Sequence, residues 1–203
     1  MYTGTWHENT YIVTGSSGSG KSEVCNFLAE LGATVISADD LAKQALAPGS
    51  KALTQVREIF GDKVFSGEAL NRKALGQTVF ASSMLREKLE NIVHPIIGEL
   101  AKEAFTKLIA AGGQILIYDC PLYFETKLRE KKFKGVILIT APEERKIARL
   151  VARDGITLES AKRRLSNQLS DKERAGVSDF IVDNSGSLEE LKSKVQSLFS
   201  SLT

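Results

Sequence analysis

Short apolar runs alternate along the chain with segments of helical spacing. The runs are Tyr11 to Thr14, Val35-Ile36, Ile115 to Asp119, Val136 to Thr140 and Phe180 to Asp183. Between the first two runs, residues 21–31 have the spacing of a helix, which Gly32 ends. Buried strands that alternate with helices are typical of a parallel sheet covered by helices. We therefore predict a three-layer α/β fold around a mostly parallel five-stranded sheet.

One long segment interrupts this alternation. Pro48-Gly49 ends a helix that begins near Ser37, and helical spacing then continues to Ala111. His94-Pro95 predicts that one helix ends there and another begins. Gly112-Gly113 is the predicted end of the segment, which is too long for a single crossover. We predict one domain whose parts are a core at 11–47, 112–148 and 178–203, a helical insertion at 48–111 and a lid at 149–177.

The predicted lid is rich in cations. Pro142 opens a helix that carries Arg145, Lys146, Arg149 and Arg153 and ends at Asp154-Gly155, and a second basic helix is predicted from Thr157 to Leu169. Such a lid closes arginines over phosphate groups. The alternative is a solvated helical hairpin. After the last strand, Ser187 and Glu190 have the spacing of a capping box and predict the start of a final helix.

The first strand runs directly into a glycine-rich loop. Gly15-Ser16-Ser17-Gly18-Ser19-Gly20-Lys21-Ser22 matches the phosphate-binding pattern G-x-x-x-x-G-K-[ST] between a strand and a helix. Its backbone N–H groups and the helix dipole favour an anion, and Lys21 can reach the outer phosphates. The Ser22 hydroxyl is an oxygen ligand of the kind that Mg²⁺ prefers. A glycine-rich turn without a ligand is the alternative.

A carboxylate ends the third predicted strand. Asp119 follows the run Ile115 to Tyr118, and phosphate-loop enzymes use a strand-terminal Asp to hold Mg²⁺ or its water. We predict Ser22 and Asp119 as the metal ligands.

Composition narrows the function classes. Of the 203 residues, 42% are hydrophobic and 26% are charged, and the net charge of +2 gives no general argument for a nucleic-acid partner. No apolar run reaches membrane-spanning length, and the N-terminus does not read as a signal peptide, so we expect a cytoplasmic protein with no membrane partner. Cys25 and Cys120 lack metal-ligand spacing and are interpreted as small buried hydrophobes. Trp6 is expected to pack on the edge of the sheet.

The guanine-binding Asn-Lys-x-Asp pattern is absent, which argues against a GTPase switch. A short chain with a helical insertion and a basic hairpin instead fits a small-molecule kinase that encloses two substrates.

The later motifs make the resemblance specific. In order and spacing, the chain from Tyr11 onward resembles the dephospho-coenzyme A kinase family at the phosphate loop, Val35 to Asp39, Pro48-Gly49, His94-Pro95, Asp119 to Leu122 with Glu125, Arg149 to Asp154, Gln168, and Ile181 to Gly186. The resemblance implies transfer of the γ-phosphoryl group of ATP to the ribose 3′-hydroxyl of dephospho-CoA. We expect Mg²⁺ as the cofactor and a monomer or small homo-oligomer. Two alternatives stay open: a kinase for another nucleotide or nucleoside, and a regulatory protein that binds ATP without turnover.

The same resemblance implies roles for individual residues. Asp39 is the expected catalytic carboxylate, together with Lys21 and Arg149; the alternative for Asp39 is an acid favoured by the dipole of a first helical turn. The family usually has Asp where this chain has Ser37, which can serve a metal only as a neutral oxygen or can act as a helix cap.

Further contacts are implied on both sides of the reaction. Beyond the loop, the ATP-binding residues are Arg149, Arg153, Asn184 and Gly186, and the acceptor-binding residues are Asp39, His94, Pro121, Leu122, Glu125 and Arg72. For His94, packing at a helix start is an equal alternative. For Arg72, the alternative is an ordinary surface arginine.

Overall fold

The computed structural model describes residues 5–112 and 115–202, apart from the side chains at 127 and 129. Gly113, predicted to end the insertion, and the first four residues of the N-terminal segment lie outside this description. The chain forms two compact units: the first runs to Ser37 and resumes at Phe105, and the second is Ala38–Ala104. Within the two described ranges, no helix combines the length and apolarity needed to cross a membrane.

Strands and helices alternate much as the hydrophobic pattern predicts. The strands are β1 (Thr10–Thr14), β2 (Thr34–Ser37), β3 (Phe65–Ser66), β4 (Ala69–Leu70), β5 (Leu116–Asp119), β6 (Gly135–Thr140) and β7 (Phe180–Asp183). The helices are α1 (Lys21–Glu30), α2 (Ala38–Ala45), α3 (Lys51–Phe60), α4 (Arg72–Phe80), α5 (Ser83–Ala110), α6 (Glu143–Asp154), α7 (Leu158–Ser166), α8 (Asp171–Ala175) and α9 (Leu188–Leu202).

The first unit contains the predicted five-stranded sheet. Its strand order is β2-β5-β1-β6-β7, and each pairing is parallel. In register, Asp119 at the end of β5 lies beside Val13 of β1 on one side and Ser37 of β2 on the other. The carboxyl ends of these strands therefore meet at one edge of the sheet, which is where open α/β sheets bind their ligands.

Two helices cover one face of this sheet. Val24 and Leu28 of α1, with Val195 of α9, are fully buried in one core with Val13 and Ile139. The start of α9 confirms the predicted capping box, because the Ser187 N–H donates to Glu190 Oε2 at 2.7 Å and the Glu190 N–H donates to Ser187 Oγ at 3.2 Å.

Trp6 packs elsewhere than predicted. Its ring stacks on Phe105 at 5.0 Å between centroids and meets Tyr118 edge-on at 5.8 Å. Tyr118 belongs to β5, which lies between two other strands. The prediction of packing at the sheet edge is therefore wrong, because a large aromatic side chain buries more surface against the middle of a sheet than at its rim.

The second unit has its own apolar core, which includes Val56, Phe60, Leu75, Ile92 and Val93. It also contains a short hairpin of β3 and β4 in a stretch that the helical spacing did not predict as strand. Two-residue strands leave no periodic signal to detect.

The predicted helix boundary at His94-Pro95 is wrong. Helix α5 is 28 residues long and continues through Pro95. Residues on both sides of the proline, Ile92 and Val93 before it and Ile96 after it, pack on the core of the second unit. This burial outweighs the hydrogen bond that proline removes from the helix interior.

The second basic helix is shorter than predicted. Helix α7 ends at Ser166, not at Leu169, and α8 begins at Asp171. Ser170 caps α8 in a capping box with Glu173, and this Ser-x-x-Glu spacing in the sequence could have separated the two helices.

Candidate active site

The glycine-rich loop has the backbone of an anion site. Gly20 has φ +93° and is the N-cap residue of α1. The N–H groups in the first turn of α1, at Lys21 and Ser22, have no acceptor within the helix and carry the positive end of its dipole. Such a helix start can hold a phosphate group.

Two glycines are required by close neighbours as well as by φ. A Cβ at Gly20 would lie 2.0 Å from Asn184 Nδ2, and a Cβ at Gly18, where φ is +79°, would lie 2.6 Å from the Lys146 carbonyl oxygen. The backbone of the loop therefore approaches the Asn184 side chain and the backbone of α6 more closely than a residue with a side chain permits.

Lys21 and Asp119 form an ion pair at the carboxyl ends of the strands. Their side chains are 13% and 14% exposed, so the pair is largely shielded from water. The loop cation and the strand-terminal carboxylate, both predicted from sequence, thus lie in contact.

Cys25 lies beside this pair. Burial, with the nearby charge of Asp119 second, raises the pKa of the Cys25 thiol to about 12. Cys25 and Cys120 are both buried, which confirms their interpretation as small core residues. At neutral pH the Cys25 thiol stays protonated and is a poor nucleophile.

Arg149 holds the loop from α6. Its Nη1 donates to the carbonyl oxygens of Gly18 and Ser19, both at 3.1 Å. Burial and the charge of Arg145 lower the pKa of Arg149, but a guanidinium remains a cation in proteins. Arg149 therefore brings a positive charge to the phosphate loop.

Arg153, one helical turn further on, contacts a carboxylate instead. Its Nε and Nη2 donate to the two oxygens of Asp154 at 2.6 and 2.9 Å, and Arg164 Nη1 donates to the same carboxylate at 2.8 Å. The hydrogen bond from Arg153 lowers the pKa of Asp154. Phosphate binding by Arg153 stays a prediction and would require this exposed pair to open.

Asn184 and Gly186 follow β7 and lie near α6 and the loop. The buried Asn184 side chain donates to the Ser19 carbonyl at 2.8 Å, and the Gly186 carbonyl accepts from Arg145 Nη1 at 2.7 Å. Asn184 thus supports the phosphate loop directly. The role of both residues at the adenine ring stays a prediction.

The predicted acceptor residues divide between the two units. In the first unit, the Pro121 carbonyl accepts from Thr14 Oγ1 at 3.3 Å, the Leu122 side chain is exposed, and Glu125 Oε1 accepts from Arg174 Nη2 at 2.8 Å. Asp39, Arg72 and His94 belong to the second unit, where each is exposed. Arg72 donates to the Lys43 carbonyl at 3.3 Å.

Sequence analysis predicted no loop contact for three residues that touch the loop, although Gln168 is among the positions that carry the resemblance. Lys146 and Asp171 contact Ser16, and Gln168 contacts the backbone of Ser17. Lys146 was grouped with the basic surface of the predicted lid, although it adjoins Ile147 on the buried side of α6. A lysine next to a buried apolar position was the available signal.

The oxygen donors present fit a magnesium ion that is shared with a nucleotide. Ser22 offers a hydroxyl in the first turn of α1 and Asp119 a carboxylate, and Mg²⁺ is commonly held by one or two protein oxygens together with substrate phosphates. Within the described residues there is no cluster of three or more His, Cys, Asp or Glu side chains placed to hold a metal. A metal bound mainly through phosphate oxygens does not need such a cluster.

Comparison with known proteins decides the family. The family model described as dephospho-CoA kinase matches residues 11–190. The chain belongs to the dephospho-CoA kinase family. A dephospho-CoA kinase from Syntrophotalea carbinolica is 38% identical over 191 residues, which cover 94% of this chain and 90% of that protein.

Solved structures related to this dephospho-CoA kinase family member share its fold. A Thermus thermophilus protein superimposes with a TM-score of 0.84 at 29% identity, covering 97% of this chain and 99% of its own. A dephospho-CoA kinase from Campylobacter jejuni gives a TM-score of 0.66 at 27% identity, with 97% and 98% covered. The parallel sheet and phosphate loop predicted from sequence are therefore confirmed as a phosphate-loop kinase fold.

Proposed function

We propose that this protein transfers the γ-phosphoryl group of ATP to the ribose 3′-hydroxyl of dephospho-CoA, giving CoA and ADP in the final step of coenzyme A synthesis. One observation carries the proposal. A complete phosphate loop, with Lys21 at a helix start, lies within a chain that matches the family over residues 11–190.

The first unit supplies the nucleotide side of the reaction. The loop N–H groups and Lys21 bind the outer phosphates, and Arg149 adds positive charge where the transferred group gathers negative charge. Mg²⁺, held by Ser22 and Asp119, would neutralise phosphate charge when the nucleotide is bound. Lys21 then exchanges its contact with Asp119 for phosphate oxygens.

Asp39 is the proposed catalytic carboxylate. It lies in the first turn of α2, two residues after the end of β2. The acceptor oxygen forms a bond to the γ-phosphorus, the bond from that phosphorus to the bridging oxygen of ADP breaks, and the hydroxyl proton passes to Asp39. Because the transition state is loose, orientation of the hydroxyl contributes more than early proton removal.

The remaining contacts and the setting of the reaction are also proposals. The remaining proposed acceptor-binding residues are Pro121, Leu122, Glu125, His94 and Arg72. We place the reaction in the cytoplasm, where ATP is supplied, and keep a monomer or small homo-oligomer as the expected state.

The acceptor is tested by incubating the protein with Mg-ATP and, in separate reactions, dephospho-CoA, adenosine, AMP and CMP. ADP release is followed, and each product is identified by mass. We expect dephospho-CoA to be phosphorylated on its ribose and the other acceptors to be poor. Preference for another nucleotide would overturn the acceptor assignment. ATP binding without turnover would favour a regulatory protein.

Asp39 and Asp40 provide a matched pair of variants, since both are exposed acids in the first turn of α2. Asp39→Asn should lower kcat by roughly 10²- to 10⁴-fold, the usual contribution of a positioned acid or base, with ATP affinity unchanged. Asp40, whose carboxylate pairs with Lys43 at 2.6 Å, should tolerate Asp40→Asn with near-normal turnover. Equal activity of the two variants would overturn the role of Asp39.

A further inference from the structure

The phosphate loop is bound by side chains that lie more than a hundred residues later in the sequence. The Ser16 hydroxyl donates to Asp171 Oδ1 at 2.9 Å, and the Ser17 N–H donates to Gln168 Oε1 at 2.9 Å. Lys146 Nζ donates to Ser16 Oγ at 3.2 Å and to Asp171 Oδ2 at 3.0 Å. The contacts with Ser16 and Ser17 reach the first half of the loop.

Gln168 fixes a peptide unit on which the loop turn depends. In a trans peptide the carbonyl and the N–H point in opposite directions. The N–H of the peptide between Ser16 and Ser17 points to Gln168, and its carbonyl accepts from the Ser19 N–H at 3.1 Å. Holding one side of this unit therefore holds the hydrogen bond that closes the turn.

Asp171 fixes the Ser16 side chain and is itself held firmly. Its two oxygens have different partners, Ser16 and Lys146, and the Lys146 and Asp171 side chains are only 10% and 20% exposed. Asp171 is also the first residue of α8, directly after the capping residue Ser170. A charge pair shielded in this way is sensitive to the loss of either member.

The second half of the loop is held from other elements. Arg149 and Asn184 both donate to the Ser19 carbonyl. The same peptide argument aims the Gly20 N–H away from them, towards the side on which the helix start binds an anion. Both halves of the loop are thus held by side chains from outside it.

We propose that Gln168 and Asp171 are positioning residues for the nucleotide, which set the shape of the phosphate loop through Ser17 and Ser16, with Lys146 as the counter-ion of Asp171. This inference rests on the proposed function only in taking the loop as the nucleotide site. Nucleotide affinity is set in part by residues of the lid that do not themselves contact the phosphates.

The test separates the hydrogen bond from the bulk of the side chain. Gln168→Met keeps the length and bulk of the side chain but removes the acceptor for the Ser17 N–H. The dissociation constant of ADP is measured by calorimetry without any acceptor substrate, and KM for ATP and kcat are measured with dephospho-CoA. We expect Gln168→Met to raise both the ADP dissociation constant and KM about tenfold, with kcat changed less than about threefold.

Asp171 and Lys146 are tested together. Asp171→Asn and Lys146→Met should each weaken ADP binding about tenfold, and the double variant should lose less than the two single losses combined, because the residues act as a pair. Fully additive losses would contradict the pairing.

Thr157→Ala is the matched control for general loosening of the lid. Thr157 caps α7 and contacts Ser160, not the loop, so its variant should be less stable to urea but keep wild-type ADP affinity. ADP binding unchanged in Gln168→Met and Asp171→Asn, or weakened equally in Thr157→Ala, would overturn the proposal. ADP binding requires no phosphoryl acceptor, so a failure of the dephospho-CoA assignment would not obscure this result.

Discussion

At the scale of single residues, the contiguous part of the site was predictable. Lys21 and Ser22 lie within one eight-residue pattern whose neighbours are a strand and a helix, so its chemistry is local. The contacts of Ser16 with Asp171 and of Ser17 with Gln168 join residues 155 and 151 positions apart. No spacing rule connects residues at that separation. Only the fold does.

The same scale gives a sharp prediction for Gly20. Gly20 has a left-handed backbone conformation, and a Cβ built on it would lie 2.0 Å from the Asn184 side-chain amide. Gly20→Ala should therefore displace Asn184 or the phosphate loop. We expect ADP affinity to fall more than about tenfold, because the N–H groups of the phosphate loop lose their alignment. Calorimetric titration with ADP measures the loss.

Gly155 is the control for backbone strain alone. It also has positive φ, at +62°, but nothing lies within 4 Å of a Cβ built on it. Gly155→Ala should cost about 1 kcal/mol in the free energy of unfolding and leave ADP affinity unchanged. If both variants lost affinity equally, the close approach at Gly20 would not be the cause.

At the scale of elements, apolar runs located the five strands of the sheet, because buried parallel strands are apolar on both faces. Rules about neighbouring residues predicted helix boundaries less reliably where tertiary packing opposes them. Pro95 predicts a helix boundary from its own geometry, but α5 continues through it. The burial of Ile92, Val93 and Ile96 belongs to the tertiary structure and is invisible to a rule about one dipeptide.

Pro95 should therefore destabilise the helix that contains it. A proline in a helix interior costs about 3 kcal/mol, partly offset by about 1 kcal/mol from restricting the unfolded chain. Pro95→Ala is expected to raise the free energy of unfolding by about 2 kcal/mol, measured by urea denaturation. Gly98→Ala, at a helical position with open space around the Cβ, should raise it by about 1 kcal/mol. A loss of stability in Pro95→Ala would show that its ring packs favourably.

At the scale of the whole molecule, the strand order was not predicted. The chain visits β1, β2, β5, β6 and β7, but the sheet places β1 in the middle and β2 at one edge. Apolar runs show that strands are buried but not which strands are neighbours. The site depends on that order, because Asp119 lies in register with Val13 only when β5 pairs with β1.

The N-terminal segment links the stability of the fold to pH. His7 packs against Trp6 at 3.9 Å and Phe133 at 5.2 Å between ring centroids. Burial, followed by the charge of Lys131, lowers the pKa of His7 below 6.5, and Glu8 opposes the shift. The folded state therefore disfavours the imidazolium form.

The sign of the pH dependence follows from proton binding. At a pH between the folded and unfolded pKa values of His7, the unfolded chain binds more protons than the folded chain. The contribution of His7 to the free energy of unfolding is therefore fully present above pH 6.5 and is lost as the pH falls through that range. Urea denaturation at about pH 7.5 and about pH 5.5 should show a smaller loss in His7→Phe than in wild type. His94→Gln removes the only other histidine, which is exposed, and should retain the wild-type loss. An equal loss of stability in wild type and His7→Phe would contradict this prediction, because His7 would then have the same pKa in the folded and unfolded states. The pH dependence would then be assigned to carboxylates.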